Sequence, residues 1–162
     1  MVREMNRLGM IVDVSHVSDK TFWDALEVSR APIFASHSCA RTLASHHRNM
    51  SDEMIHAMAR KGGVIQIDFA CRYLSDRPGV TVNDVVAHIS HVVKIAGVDA
   101  VGIGTDYEGI DCAPQGLEDV SKLPNLTRAL LERGFKAGDI RKIYGENTLR
   151  LMRAVERAAG SR

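Results

Sequence analysis

The sequence predicts an α/β fold built from parallel βα units. Three observations lead there. Four short apolar runs alternate with helical stretches along the chain. Serine caps and glycine stops separate the two kinds of segment. Three of the four predicted strands also end in polar residues. In a barrel of parallel strands, that end is where active sites lie.

The elements follow in order. Residues 1–8 read as a charged helical tail, and Gly9 fits its C-cap. The tail lacks a capped start and the apolar centre of a signal peptide, so it looks like the end of a longer helix. Met10 to Ser15 is the first strand. Ser18 is an N-cap, with Asp19 in the first turn of a helix carrying Phe22, Trp23 and Leu26. Pro32 ends that helix, and 32–37 is the second strand. A polar loop runs to Arg48. Ser51 caps the next helix, with Met50 and Ile55 at the two positions of a hydrophobic staple. Gly62-Gly63 stops it, and Val64 to Phe69 is the third strand. Val82, Val85, Val86, Ile89, Val92, Val93 and Ala96 share one helical face that Gly97 ends. Ala100 to Thr105 is the fourth strand. Two or three helices fill Lys122 to Ala159, and Gly145 reads as a helix stop.

Length and composition bound the answer. A chain of 162 residues is one domain by size. With 45% hydrophobic and 25% charged residues, disorder, collagen and a long coiled coil are excluded. No stretch approaches the roughly 18 apolar residues of a membrane helix. Twenty-one basic against 20 acidic residues give no electrostatic case for nucleic acid or an anionic membrane. Cys39, Cys71 and Cys112 match no zinc spacing and suggest no disulfide framework, which favours a reducing, cytoplasmic compartment. Four βα units are half of a closed eight-stranded barrel, which typically needs about 250 residues, or else a small open sheet.

The polar strand ends carry the chemistry. His16 follows the first strand, His37 ends the second and Asp106 ends the fourth. Strict alternation puts His37 on the face of Ile33 and Ala35. Two imidazoles and a carboxylate at one rim suit a metal-dependent hydrolase, although a catalytic zinc usually takes three protein ligands. Arg48 is either half of a surface ion pair, worth about 1 kcal/mol or less, or a bidentate grip on a carboxylate. His46 and His47 are open between solvated and substrate-contacting roles. His56 reads as structural. His88 and His91 lie off the apolar stripe and read as a solvated face. Cys39 has no evident general base. Gly102-Ile-Gly104 lacks the third glycine of a dinucleotide loop.

Seven segments in order carry a family resemblance: Asp13-Val-Ser-His-Val-Ser18, Pro32-Ile-Phe-Ala-Ser-His-Ser38, His47-Arg-Asn49, Lys61-Gly-Gly-Val64, Val101-Gly-Ile-Gly-Thr-Asp106, Gly116-Leu-Glu-Asp-Val120 and Gly145-Glu-Asn147. In combination they resemble the membrane dipeptidase (renal dipeptidase) family of zinc peptidases. The resemblance implies the C-terminal half of a (β/α)8 TIM barrel of the metal-dependent hydrolase kind, over residues 1–162 and roughly strands five to eight. It implies zinc, two ions in the complete family site, with His16 and His37 as ligands of one. It implies that Arg48 holds the substrate's C-terminal carboxylate. Asp106 would be the acid/base residue facing a metal-bound hydroxide. It implies a dipeptide substrate and, as in many relatives, a homodimer.

Departures from the family pattern shape the expectation. The family's His-x-Asp pair, its bridging glutamate and a further substrate-binding histidine are absent, all features of the barrel's first half. His47 stands where a proline is common, Asp68 where an asparagine is, and Tyr107-Glu108 where Phe-Asp is. The chain therefore reads as a C-terminal piece of a longer dipeptidase. The alternative is a non-catalytic half-barrel or weak metal-binding module without turnover.

Overall fold

In the computed structural model of the chain, which describes residues 1–160, helices begin where short polar side chains take up free backbone N–H groups. Ser18 accepts from Thr21 N at the start of α2 (Asp19–Val28), which follows α1 (Val2–Leu8). Ser51 does the same from Met54 N at α3 (Asp52–Arg60), with Met50 and Ile55 buried on either side. Thr81 and Asp84 form a reciprocal capping box at α5 (Val82–Ala96), beyond the short α4 (Cys71–Leu74). Gly9 closes α1 in the left-handed conformation, at φ 71°. The C-terminal helices are α6 (Leu123–Glu132), α7 (Ala137–Arg141) and α8 (Asn147–Gly160). Gly145 is not a clean stop. It sits at the kink of a wide turn, Lys142–Glu146, that runs α7 into α8.

Three strands, β1 (Phe34–Ser38), β2 (Val64–Ile67) and β3 (Val101–Ile103), pair in parallel in that order. The first predicted strand, Met10 to Ser15, shrinks to one parallel bridge between Asp13 and Phe34. Phe34 exchanges backbone hydrogen bonds with Val12 and Val14, and there the ladder ends. Side chains take over from it. Asp13 Oδ1 accepts from the backbone N–H groups of Ser15 and Ser36, and Ser15 Oγ accepts from His37 N–H. The segment thus lies beside β1 without forming a strand.

Apolar residues from the sheet and from α2, α3, α5 and α6 close one core, with Phe22, Ile33, Ile55, Met58, Ile65, Ile67, Ile89, Leu126 and Leu130 almost fully enclosed. Burying each side chain of this size stabilises by about 1.5–3 kcal/mol. A smaller cluster of Phe34, Val64, Leu151 and Val155 packs under α8. Asn147 anchors α8 to the start of β3 by donating to Val98 O and Val101 O.

Three histidine expectations change. His88 is fully buried, not solvated. Its Nδ1 accepts from Ala40 N–H at 3.1 Å and its Nε2 donates to Leu74 O at 3.0 Å, so polar pairing offsets its place among apolar neighbours. His91 is half-buried and pairs with Asp52 at 2.8 Å. His56, read as structural, is exposed.

The cysteines also depart from expectation. Cys71 and Cys112, 41 residues apart, form a disulfide that ties α4 to the loop after β3. Pairing requires Cα atoms within bridging distance, here 5.6 Å, which sparse spacing in sequence does not reveal. The cysteine count therefore carries no argument about compartment. Among the described residues, no helix is long and apolar enough to cross a membrane.

Candidate metal and substrate site

The register of β1 against β2 sets the site. Ala35 pairs with Ile65 but Ser38 pairs with Ile67, so one extra residue bulges out at Ser36-His37. A bulge re-aims side chains, and bulges recur beside active sites. The simple alternation that would put His37 on the face of Ile33 and Ala35 is interrupted there. The backbone is also close-packed at this edge. A Cβ on Gly104 would lie 2.0 Å from Ser36 O, so only glycine fits where β3 passes the bulge.

His16 reaches the same point from the neighbouring segment. Its backbone is in the left-handed region at φ 70°, unusual for a side chain of this size. The turn brings His16 Nε2 to 2.7 Å from His37 Nε2, with ring centroids 4.7 Å apart. Two imidazole nitrogens aimed at one point suit two ligands of one metal ion. Among the described residues, no group of three His, Cys, Asp or Glu side chains could hold a metal. The pair therefore fits zinc as part of a donor set. Partial desolvation, with help from the Arg48 and His37 charges, pushes the His16 pKa down and favours the neutral ring.

His37 is held on its far side too. Its Nδ1 lies 2.8 Å from Ser36 Oγ, and that hydroxyl donates to Asp13 Oδ2. Asp13, Ser15 and Ser36 were not singled out in the sequence. Their signal in the sequence is their place in the resemblance segments, as short polar residues just before each histidine.

Arg48 lines a cavity of about 570 Å³ together with His16, His46 and His47. Its guanidinium lies 5.5 Å from the Tyr73 ring centre, within cation–π range. Among the described residues it has no ion-pair partner, and its Nε is buried without a hydrogen bond. The surface ion-pair reading of Arg48 therefore fails. Asn49 fixes the loop by donating to Ala44 O and Tyr73 O. His46 stacks on His47 and accepts from Arg48 N–H.

Asp106 follows β3 with a left-handed backbone, φ 54°, and starts the short helical turn Tyr107–Gly109. A Cβ on Gly109 would lie 2.6 Å from Asp106 Oδ1, so that glycine leaves the space the carboxylate occupies. Tyr107 locks the turn. Its ring meets Phe69 edge to face, and its hydroxyl donates to Leu117 O and Asp119 O. Burial pushes its pKa up to about 12, keeping the phenol a donor. The Asp106 charge acts on both His16 and the buried Asp68, placing all three in one electrostatic neighbourhood. Burial raises the Asp68 pKa, and its Oδ2 has no partner among the described residues. Cys39 is fully buried, donates to Asp68 O, and has its pKa raised by burial, which leaves it unsuited as a nucleophile.

Parallel βα units with paired imidazoles at the strand ends define an α/β protein of the TIM-barrel type, here a partial barrel. The chain belongs to the membrane dipeptidase family (peptidase family M19), whose profile matches residues 1–162. It is 46% identical over 162 residues to the dipeptidase tcpJ of Claviceps purpurea, covering 99% of this chain and 38% of that protein. It is 44% identical over 160 residues to an uncharacterized dipeptidase, C965.12, of Schizosaccharomyces pombe, covering 96% and 38%. The chain thus spans about 38% of the length of these relatives. Among solved structures, it matches a metallopeptidase from Rhodobacter sphaeroides bound to a phosphinate mimic of L-Ala-D-Ala. That match has a TM-score of 0.90 at 32% identity, over 95% of this chain and 45% of that one. The probable dipeptidase PvdM from Pseudomonas aeruginosa matches with a TM-score of 0.93 at 28% identity, over 98% and 53%.

Proposed function

We propose that this chain contributes to the active site of a zinc dipeptidase that hydrolyses the single peptide bond of dipeptides. The observation that carries the reading is the convergence of His16 Nε2 and His37 Nε2 at the strand ends of a member of this family. The dipeptide mimic bound by the Rhodobacter sphaeroides relative supports the substrate class.

His16 and His37 would hold one zinc ion, and the complete family site has two. Zinc bound there supplies a Lewis acid toward the scissile carbonyl. Two imidazoles fall one short of the usual three protein ligands, so the pair would be part of a larger donor set. Arg48 binds the substrate's C-terminal carboxylate, since it lines the cavity beside His16 and has no acidic ion-pair partner among the described residues. Asp106 takes the proton of the attacking water and passes it to the leaving amine. Homodimerisation, implied by the family, belongs to the same reading and is checked by sedimentation.

The test is Asp106→Asn with zinc content measured alongside turnover. Loss of a proton-transfer group lowers kcat by about 10²–10⁴, and zinc content stays unchanged. Full kcat in this variant would remove Asp106 from the mechanism. A second reading, a metal-binding module without turnover, draws on the absence of a third ligand among the described residues. Zinc uptake without hydrolysis of any dipeptide would favour it.

A further inference from the structure

We infer that Asp13 is a positioning residue that sets, through Ser36, which nitrogen of His37 is free to bind metal. The inference rests on the ligand reading of His37 given above. It starts from hydrogen-bond accounting at the Ser36 hydroxyl. That hydroxyl lies within reach of Asp13 Oδ2, His37 Nδ1 at 2.8 Å, and Ser15 Oγ at 3.4 Å. The last contact is long for an O–H bond, so the first two decide.

A hydroxyl has one proton to give. Asp13 is an acceptor, since its Oδ1 already takes the N–H groups of Ser15 and Ser36. Its Oδ2 therefore takes the Ser36 proton, in the closest of the three contacts. Ser36 Oγ is left to accept, and only an N–H at His37 Nδ1 can donate to it. The neutral ring then carries its proton on Nδ1 and a lone pair on Nε2. That nitrogen is the one facing His16 at 2.7 Å, so His16 Nε2–H donates to it. Every proton in the chain His16, His37, Ser36, Asp13 points toward the carboxylate. A metal at Nε2 meets a ring already in the right tautomer, whose basicity a carboxylate-terminated relay raises.

Replacing Asp13 by asparagine reverses the chain. In Asp13→Asn, the amide oxygen can keep both backbone N–H bonds. The amide N–H₂ that replaces Oδ2 can only donate. Ser36 Oγ then accepts from Asn and donates to His37 Nδ1, which moves the ring proton to Nε2. A catalytic histidine placed in the wrong tautomer by an Asp-to-Asn change has a precedent in the serine-protease triad. Here the wrong proton would sit on the metal-binding nitrogen.

The experiment reads the tautomer directly, by long-range proton–nitrogen NMR correlation of the histidine rings. The protein is kept in chelator, at pH 8 or above, well over the ordinary imidazole pKa of about 6.5. The expected result is His37 protonated on Nδ1 in the unaltered protein and on Nε2 in Asp13→Asn. Ser36→Ala removes the hydroxyl alone and should give a mixed population, and Ser36→Thr should restore the Nδ1 form. Zinc affinity, titrated against a chromogenic chelator, should fall about 10- to 100-fold in Asp13→Asn and Ser36→Ala. An Nε2-protonated His37 in the unaltered protein overturns the inference, as does a tautomer that neither variant moves. A switched tautomer with unchanged zinc affinity denies the relay any role at the metal. Zinc affinity unmoved by His37→Ala would instead sink the ligand reading, independently of the tautomer result.

Discussion

His16 Nε2 and His37 Nε2 stand 2.7 Å apart although 21 residues separate them in sequence. A left-handed turn at His16 and a bulge at Ser36-His37 bring them together. Replacing either ring by alanine should lower zinc affinity and stoichiometry while leaving the fold intact, since His16 is exposed and His37 half-buried. Metal analysis after dialysis checks this. Unchanged zinc in both variants would remove the pair from the metal site.

Gly109 and Asp106 make a second close pair. A methyl group on residue 109 would fall 2.6 Å from Asp106 Oδ1 and force the carboxylate aside. A displacement of about 1 Å at a reacting group can cost about 10²-fold in rate. Gly109→Ala should therefore lower kcat by up to about a hundredfold with little change in KM or Tm, as the residue is exposed. Steady-state kinetics beside a thermal melt separates the two effects.

His88 gives a pH dependence with a defined sign. Burial lowers its pKa in the folded protein. The unfolded chain, with an ordinary imidazole near pH 6.5, then binds more protons in the mildly acidic range. Stability is thus fully present above about pH 6.5 and is lost as pH falls toward the lower folded value. His88→Gln preserves the bonds to Ala40 N and Leu74 O without a titrating group. Urea unfolding at pH 7.5 and 5.5 should show a smaller acid loss in that variant than in the unaltered protein. Equal losses would contradict the assignment.

The Cys71–Cys112 disulfide closes a 41-residue separation. A bridge over a loop of this size stabilises by about 2–4 kcal/mol, chiefly by restricting the unfolded chain. Cys71→Ser should lower the unfolding free energy by that amount. Thiol labelling in denaturant without reductant should find one group, Cys39, in the unaltered protein and two, Cys39 and the freed Cys112, in the variant. Unfolding of equal free energy with and without reductant would show that the bridge does not form.

The helices and three of the strands were readable because their signals are local. Ser18 and Ser51 cap helices within three residues of themselves, and the apolar stripe of α5 is a spacing rule. The first strand was misread for an equally physical reason. Met10 to Ser15 has the short β-branched apolar run of a strand, but Asp13 and Ser15 side chains capture the N–H groups that a ladder would use. His88 was misread because its stripe position is polar by pattern, while Ala40 N and Leu74 O, far away in sequence, satisfy it inside the core.

The order of residues was enough to establish the parallel α/β class, the family, and His16, His37, Arg48 and Asp106 as the groups to watch. Caps, stripes and motifs all act over a few residues, and the chain carries them wherever it goes. The tertiary structure alone decided that two imidazoles share one point, that Asp13 terminates a hydrogen-bonded relay through Ser36, and that Cys71 meets Cys112. It also decided that Arg48 has no ion-pair partner among the described residues. Each of these is set by distances and directions between segments brought together by the sheet register and the core. Those angstroms decide whether a nitrogen donates, accepts or is free to bind.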